Sequence, residues 1–227
     1  MLCTFDVNET LLDLAALDDF FAEVTGTVAA RKEWFELTVH TALTVTAAGS
    51  YRKFGQIAAD CVQVIAARHG RTATGAQVRQ LGQRIRALPA HPEAGDAIER
   101  LREAGHGVVT LTNSTTDVAE DQLRNAGLRE LIDEVYSADQ VAQLKPGPEP
   151  YRLVLTSARV RPDDATLIAA HDWDIAGAAA AGLRTAFVSR DGRVPLPGDA
   201  VPTVAGDDLA VIADRLIASS ETGPPEH

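Results

Sequence analysis

Cysteine is almost absent from this chain: its 227 residues contain two, Cys3 and Cys61. Neither their number nor their spacing suggests a disulfide framework or a zinc site, so a reducing, cytoplasmic setting is the simplest expectation. Cys3 falls inside an apolar run and reads as a small core hydrophobe. A basic cluster is also missing, and the formal net charge is -11. Nucleic acid and anionic membrane are therefore not expected as partners. An anionic substrate would need a local cationic site to offset the overall field. No apolar run reaches the length of a membrane span. The Ala-rich run 176–182 is too short for one and reads as a tightly packed helix. The first residues show neither a basic segment nor a long apolar one, so no signal peptide is expected. No internal repeat is visible.

What is present is ordinary globular material, 45% hydrophobic and 23% charged. That composition supports a substantial core, in one large domain or in one domain carrying an inserted smaller one. Leu2 to Phe5 reads as a short buried strand. Four helical patterns follow with no convincing strand among them: Leu11 to Val24, Ala29 to Ala48, Phe54 to His69, and one that Thr74 opens and Pro89 ends. After residue 90 the texture alternates. Helices are expected from Pro92, Thr116, Glu149, Asp174 and Leu209. Strands are expected at Gly107–Leu111, Glu134–Ser137, Thr166–Ala170, Thr185–Val188 and Val201–Val204. Alternation of this kind implies parallel βαβ units. The expected fold is α/β, a doubly wound, Rossmann-like parallel sheet formed by residues 1–12 and 89–220. An all-helical cap, residues 13–88, is inserted over the sheet's C-terminal edge, and 221–227 form a disordered tail.

Four polar positions fall where strands end, the edge at which open α/β sheets place their ligands. Asp6 follows the first strand and Thr112-Asn113-Ser114 the second. Lys145 precedes a helix, and Asp174 lies in a loop after a later strand. Asp6 is a candidate nucleophile if it stays ionised, and a nearby Lys145 would favour its charged form. Thr112 and Asn113 supply hydrogen-bond donors, and Asp174 either positions Lys145 or orients a water. Taken singly, each has a plainer reading as a helix cap or a solvated loop residue. Their order along the chain is what points to a site.

With these motifs in view, Phe5-Asp6-Val7-Asn8-Glu9-Thr10-Leu11, Leu111-Thr112-Asn113, Lys145-Pro146 and Trp173-Asp174 occur in the order of the haloacid dehalogenase superfamily, which the chain resembles. Within it, the Lys145 to Tyr151 spacing and the Trp173-Asp174 pair look most like the type II, L-specific 2-haloacid dehalogenases. The resemblance implies a helical cap, an aspartyl-ester mechanism, a 2-hydroxy acid product of inverted configuration and no cofactor. It also admits a homodimer. It implies roles for Asp6 as nucleophile and for Lys145, Asp174 and Thr10 around it. Arg31, Thr112, Asn113, Tyr151, His171 and Asn8 are implied to surround a small anionic substrate, with Arg31 gripping the substrate or departing halide. Trp34, Phe35, Tyr51 and Phe54 are then pocket walls or simply cap core.

The chain also departs from its relatives. Phosphatases of the superfamily carry a second aspartate two residues after the nucleophile as general acid; here that residue is Asn8, an amide that delivers no proton at neutral pH. They hold Mg²⁺ with an acidic residue where this chain has Ala169, so Mg²⁺ enters only under the phosphatase alternative. A halide leaves without a proton, which suits hydrolytic cleavage of short 2-haloalkanoic acids. Departures from the dehalogenase pattern are Glu9 in place of a glycine, and Ala169 and His171 in place of a serine and an asparagine. They keep open other hydrolysis on this scaffold, or a non-catalytic small-acid-binding protein.

Overall fold

A computed structural model describes residues 1–195 and 200–221. Among these, six strands form one sheet: β1 (Leu2–Phe5), β2 (Gly107–Thr112), β3 (Glu134–Ser137), β4 (Ala165–Ala169), β5 (Arg184–Val188) and β6 (Val204–Gly206). Their order is β3-β2-β1-β4-β5-β6 and every neighbouring pair is parallel. All four β1 residues are buried, which is why the strand shows a continuous apolar run rather than alternation. Its side chains divide between two apolar clusters. Cys3 and Phe5 join Ile98, Leu123 and Ile212, while Leu2 joins Tyr151, Val154 and Ile175. The first cluster belongs with helices α5 (Ala94–Glu103), α6 (Thr116–Asn125) and α9 (Leu209–Glu221), the second with α7 (Pro148–Ala158) and α8 (Asp172–Ala180). That is the two-sided covering a parallel sheet requires.

Helices α1 (Asp18–Thr25), α2 (Ala30–Ala47), α3 (Phe54–Arg68) and α4 (Gly75–Arg86) all lie between β1 and α5. The chain leaves the sheet and returns at one place. Leu12 and Ala90 form an antiparallel bridge, and the Asp13 amide donates to the Pro89 carbonyl at 2.9 Å. Within this helical segment, Trp34 Nε1 donates to the Ala58 carbonyl at 2.8 Å and ties α2 to α3. Phe21 packs on Trp34 with ring centroids 5.1 Å apart. Thr74 and Gln77 close a capping box at the start of α4.

Three expectations need correction. Leu11 to Val24 is not one helix. The amides of Leu11 and Leu12 both turn back to the Val7 carbonyl, and Asp13 accepts from the Ala15 amide at 2.8 Å, starting a short 3-10 turn, Leu14–Leu17, ahead of α1. The last strand is β6 at Val204–Gly206 rather than 201–204, in the register that pairs it with Ala186–Val188. The C-terminal helix runs through Ser219 and Ser220 to Glu221. Both serine hydroxyls are satisfied inside it, on the carbonyls of Leu216 and Ile217 at 2.8 and 2.7 Å. The rest of the expected tail, 222–227, lies outside the described residues.

Candidate active site

Asp6 is the first residue beyond β1, and its amide still pairs with the Ile168 carbonyl of β4 at 3.0 Å. The carboxylate is therefore fixed at the centre of the sheet's C-terminal edge. Its Oδ1 accepts from Lys145 Nζ at 2.8 Å and its Oδ2 from Thr10 Oγ1 at 2.8 Å. The same threonine oxygen accepts from the Ala170 amide at 3.0 Å, so its proton is directed at Asp6. Lys145 is buried, and all three of its ammonium donors are used: on Asp6, on Asp174 Oδ2 at 2.7 Å and on the Leu111 carbonyl at 2.8 Å. Tyr151 donates to Asp174 Oδ1 at 2.6 Å. Asp174 thus spends one oxygen on Lys145 and the other on Tyr151. Of the two roles read from sequence, orienting the lysine is the one its geometry fills.

The electrostatics follow from this arrangement. Burial opposes ionisation of Asp6, but Lys145 and then His171 outweigh it and hold the carboxyl well below the usual carboxylate range. Burial likewise opposes the charge on Lys145, and Asp174 and Asp6 together keep its ammonium above its ordinary value. Asp174 moves the other way, since its burial raises it despite Lys145. Burial and the Asp174 carboxylate push the Tyr151 phenol well up, so it remains a donor.

Asn113 holds the Lys145 peptide rather than standing free. Its Oδ1 accepts from the Lys145 amide at 2.8 Å, and its Nδ2 donates to the Lys145 carbonyl at 3.4 Å. Thr112 accepts from the Ser114 amide at 3.1 Å and so shapes the turn after β2. The Lys145–Pro146 peptide is cis. Gly177 lies against this loop. A Cβ there would sit 2.5 Å from Tyr151 Oη and 2.6 Å from Pro146 Cβ. Gly177→Ala should consequently displace Tyr151 or the Lys145 turn. The expected loss is about 1–3 kcal/mol in urea unfolding, with a fall in activity larger than that stability loss explains.

Asn8 is held by Gln122 and Ser114 and not by Asp6. Its Oδ1 accepts from Gln122 Nε2 at 2.9 Å and its Nδ2 donates to Ser114 Oγ at 3.4 Å. Gln122 Nε2 also donates to the Ile85 carbonyl of α4 at 3.1 Å, which links this loop to the helical segment above. Asn8 and Ser114 line a cavity of about 610 Å³ whose apolar wall includes Trp34, Phe35 and Phe54. A second cavity, of about 540 Å³, is lined by Phe35, His171 and Trp173. Tyr51 lines neither. Its hydroxyl donates to Asp139 and ties the helical segment to the core.

Arg31 is not brought to Asp6 either. It lines neither of these cavities. Its Nε donates to Asp18 Oδ1 at 2.5 Å, and its Nη1 lies 3.6 Å from Glu9 Oε1. It reaches Asp6 only through Glu9 and His171. His171 Nε2 is 3.0 Å from Glu9 Oε2, and its Nδ1 is 3.4 Å from Asp6 Oδ2. Arg193 completes the set, with Nη2 donating to Glu9 Oε2 at 2.8 Å. Sequence reasoning passed over Arg193 and Gln122. Ser114 was noted as the last residue of the polar run after β2, without a role of its own.

The doubly wound sheet, the carboxylate at the end of its central strand and the shared lysine place a buried ionic cluster at the edge where α/β enzymes bind their ligands. The haloacid dehalogenase-like hydrolase family pattern matches residues 1–182, and the chain belongs to that family. It is 26% identical over 196 residues to (S)-2-haloacid dehalogenase 4A of Burkholderia cepacia, covering 85% of this chain and 84% of that one. It is 27% identical over 190 residues to (S)-2-haloacid dehalogenase 1 of Pseudomonas sp. (strain CBS-3), covering 83% and 84%. The crystal structure of an L-2-haloacid dehalogenase superposes with a TM-score of 0.90 at 25% identity, over 95% of this chain and 97% of that one.

Proposed function

We propose that this chain is a hydrolytic dehalogenase that cleaves the carbon–halogen bond of short 2-haloalkanoic acids through an aspartyl-ester intermediate. One observation carries the reading: Asp6 is an ionised, lysine-held carboxylate, and the residue two positions on is an amide bound to Gln122 and Ser114. A nucleophile without a partnering acid suits a leaving group that departs without a proton. The curated relatives named above act in the same sense.

Asp6 displaces halide from the 2-carbon in line and becomes an ester. Water then attacks the Asp6 carbonyl carbon, releasing the 2-hydroxy acid and restoring the carboxylate. Lys145 holds Asp6 in its attacking position. Thr10 directs one carboxylate oxygen, and Tyr151 and Asp174 hold Lys145. The residues do not fit the magnesium site of the family's phosphatases. The Ala169 side chain offers no ligand atom, and Asp6 and Asp174 are both paired with Lys145. We therefore favour a reaction that needs no cofactor, with a small anionic substrate as the partner.

Single turnover of 2-chloropropionate in ¹⁸O water tests this. The label is expected in the Asp6 peptide on mass analysis. Asp6→Asn is expected to lose at least about four orders of magnitude in chloride release. Chloride release that survives in Asp6→Asn, with deamidation back to aspartate excluded by mass, would remove the assigned nucleophile.

A further inference from the structure

Glu9 and His171 form a buried pair beside the nucleophile. Glu9 stands with φ 63°, a left-handed conformation in which glycine is at ease and a side chain is strained. Strain of this kind persists where the surroundings enforce it, and it clusters at functional positions. Here it directs a carboxylate inward, where His171, Arg193 and Arg31 hold it. His171 is clamped between Phe35 and Trp173, with ring centroids 5.6 and 5.1 Å away. Its Nδ1 is buried, has no hydrogen-bond partner, and faces Asp6 Oδ2 at 3.4 Å.

The geometry sets the protonation of the ring. With Nε2–H donated to Glu9, a neutral imidazole would turn a bare Nδ1 lone pair toward the Asp6 carboxylate. Only the imidazolium presents an N–H there. Burial works against that charge, but the hydrogen bonds and charges of Asp6 and Glu9 outweigh it and push His171 up to about 9.

We propose that His171, held by Glu9, is the hydrogen-bond donor that stabilises the oxyanion when water attacks the Asp6 ester. The step rests on the dehalogenase reading and deepens it. Oδ1, the lysine-bound oxygen, forms the bond to the 2-carbon. Oδ2, which faces both Thr10 and His171, becomes the ester carbonyl oxygen. As water adds to Cγ, the carbonyl electron pair moves onto Oδ2, between two donors. Collapse breaks the Cγ–Oδ1 bond. The departing 2-hydroxy acid oxygen takes one water proton, the second leaves to solvent, and His171 keeps its own proton throughout. Halide departs on the side of the carbon away from Asp6, so a donor beside Oδ2 is placed for the second step and not the first. Glu9 is a positioning residue. The titratable and charged groups around the ring are Asp6 and Glu9 after β1, Arg31, Glu36 and His40 of α2, Asp172 of α8, and Arg193 after β5.

The test is single turnover of 2-chloropropionate with enzyme in excess, following chloride and intact protein mass in the same quenched samples. His171→Gln is expected to slow chloride release far less than ester hydrolysis. Its ester hydrolysis should fall by about 10²–10³-fold, as for loss of one oxyanion donor, so that the Asp6 adduct accumulates. In the wild type, ester hydrolysis should decline as pH rises through the titration of His171, and Glu9→Gln should move that decline to lower pH. Glu9→Gln also carries the test if His171→Gln does not fold. Ester hydrolysis in His171→Gln at the wild-type rate, or equal losses in both steps, would overturn the assignment. So would a wild-type rate that rises through that titration, because the ring would then be acting as a base. A wild type that yields neither chloride nor adduct overturns the dehalogenase reading itself, and the two failures are thereby separated.

Discussion

Lys145→Met is expected to destabilise the fold by about 3–5 kcal/mol and to reverse what Asp6 contributes to the acid dependence of its stability. The lysine is 1% exposed and its ammonium bridges two carboxylates, neither more than 4% exposed. Methionine nearly matches its volume, so the loss comes from two buried carboxylates left without their shared cation, not from a cavity. In the wild type the Asp6 carboxyl sits below its unfolded value. Its contribution to stability is present above about pH 4 and is lost as pH falls through the folded value. Without Lys145, the paired carboxyls favour the protonated form, and their folded values rise above the unfolded ones. The contribution of this pair is then greatest in acid and is lost as pH rises. Urea unfolding at about pH 3, 5 and 7 reads the slope directly. Equal slopes in the two proteins would show that the ion triad does not govern the core.

The second large effect concerns the alkaline side. His171 is pushed up to about 9, against burial, by Asp6 and Glu9. A group raised on folding contributes stability that is complete below its unfolded value, about 6.5, and is lost as pH rises through its folded value. The difference between about 9 and about 6.5 corresponds to about 3 kcal/mol in all, of which about 2 kcal/mol is lost between about pH 7 and pH 9. His171→Gln should lack that decline. Asp6 in the variant keeps Lys145 and Thr10, and Glu9 keeps Arg193 and Arg31. Thermal unfolding followed across this range, at constant ionic strength, gives the comparison. Parallel curves for the two proteins would rule out a charged His171 in the folded state.

Much of the fold was legible because a sheet buried on both faces leaves short apolar runs, and each run ends where its polar loop begins. Asp6, Asn113, Lys145 and Asp174 stand out for that reason. What sequence could not show was which polar groups pair. His171 and Glu9 are 162 positions apart, and nothing local in either announces the other. Arg31 looked available for an anion because its partners, Asp18 and Glu9, come from separate turns that only the folded chain brings together. Asn113 looked like a donor for substrate because nothing in a Thr-Asn-Ser run tells that the amide will clasp a peptide 32 residues away. The misread helix over Leu11 to Val24 has a related cause. Leu11, Leu12 and Leu14 are buried beneath the helical segment although they lie in turns, so they mimic the spacing of a helix face.

The strand order has a consequence for when the site exists at all. β1 sits between β2 and β4, so the strand that leads into Asp6 is paired with segments more than 100 residues later in the chain. Its ammonium partner is 139 positions away. Contacts this distant in sequence close late, because chain entropy must be spent before they reward it. During synthesis Asp6 is made well before the segments that pair with its strand, and it stays an ordinary solvated carboxylate until they have emerged. Its reactivity is thus acquired at the end of folding, together with the core that shields it.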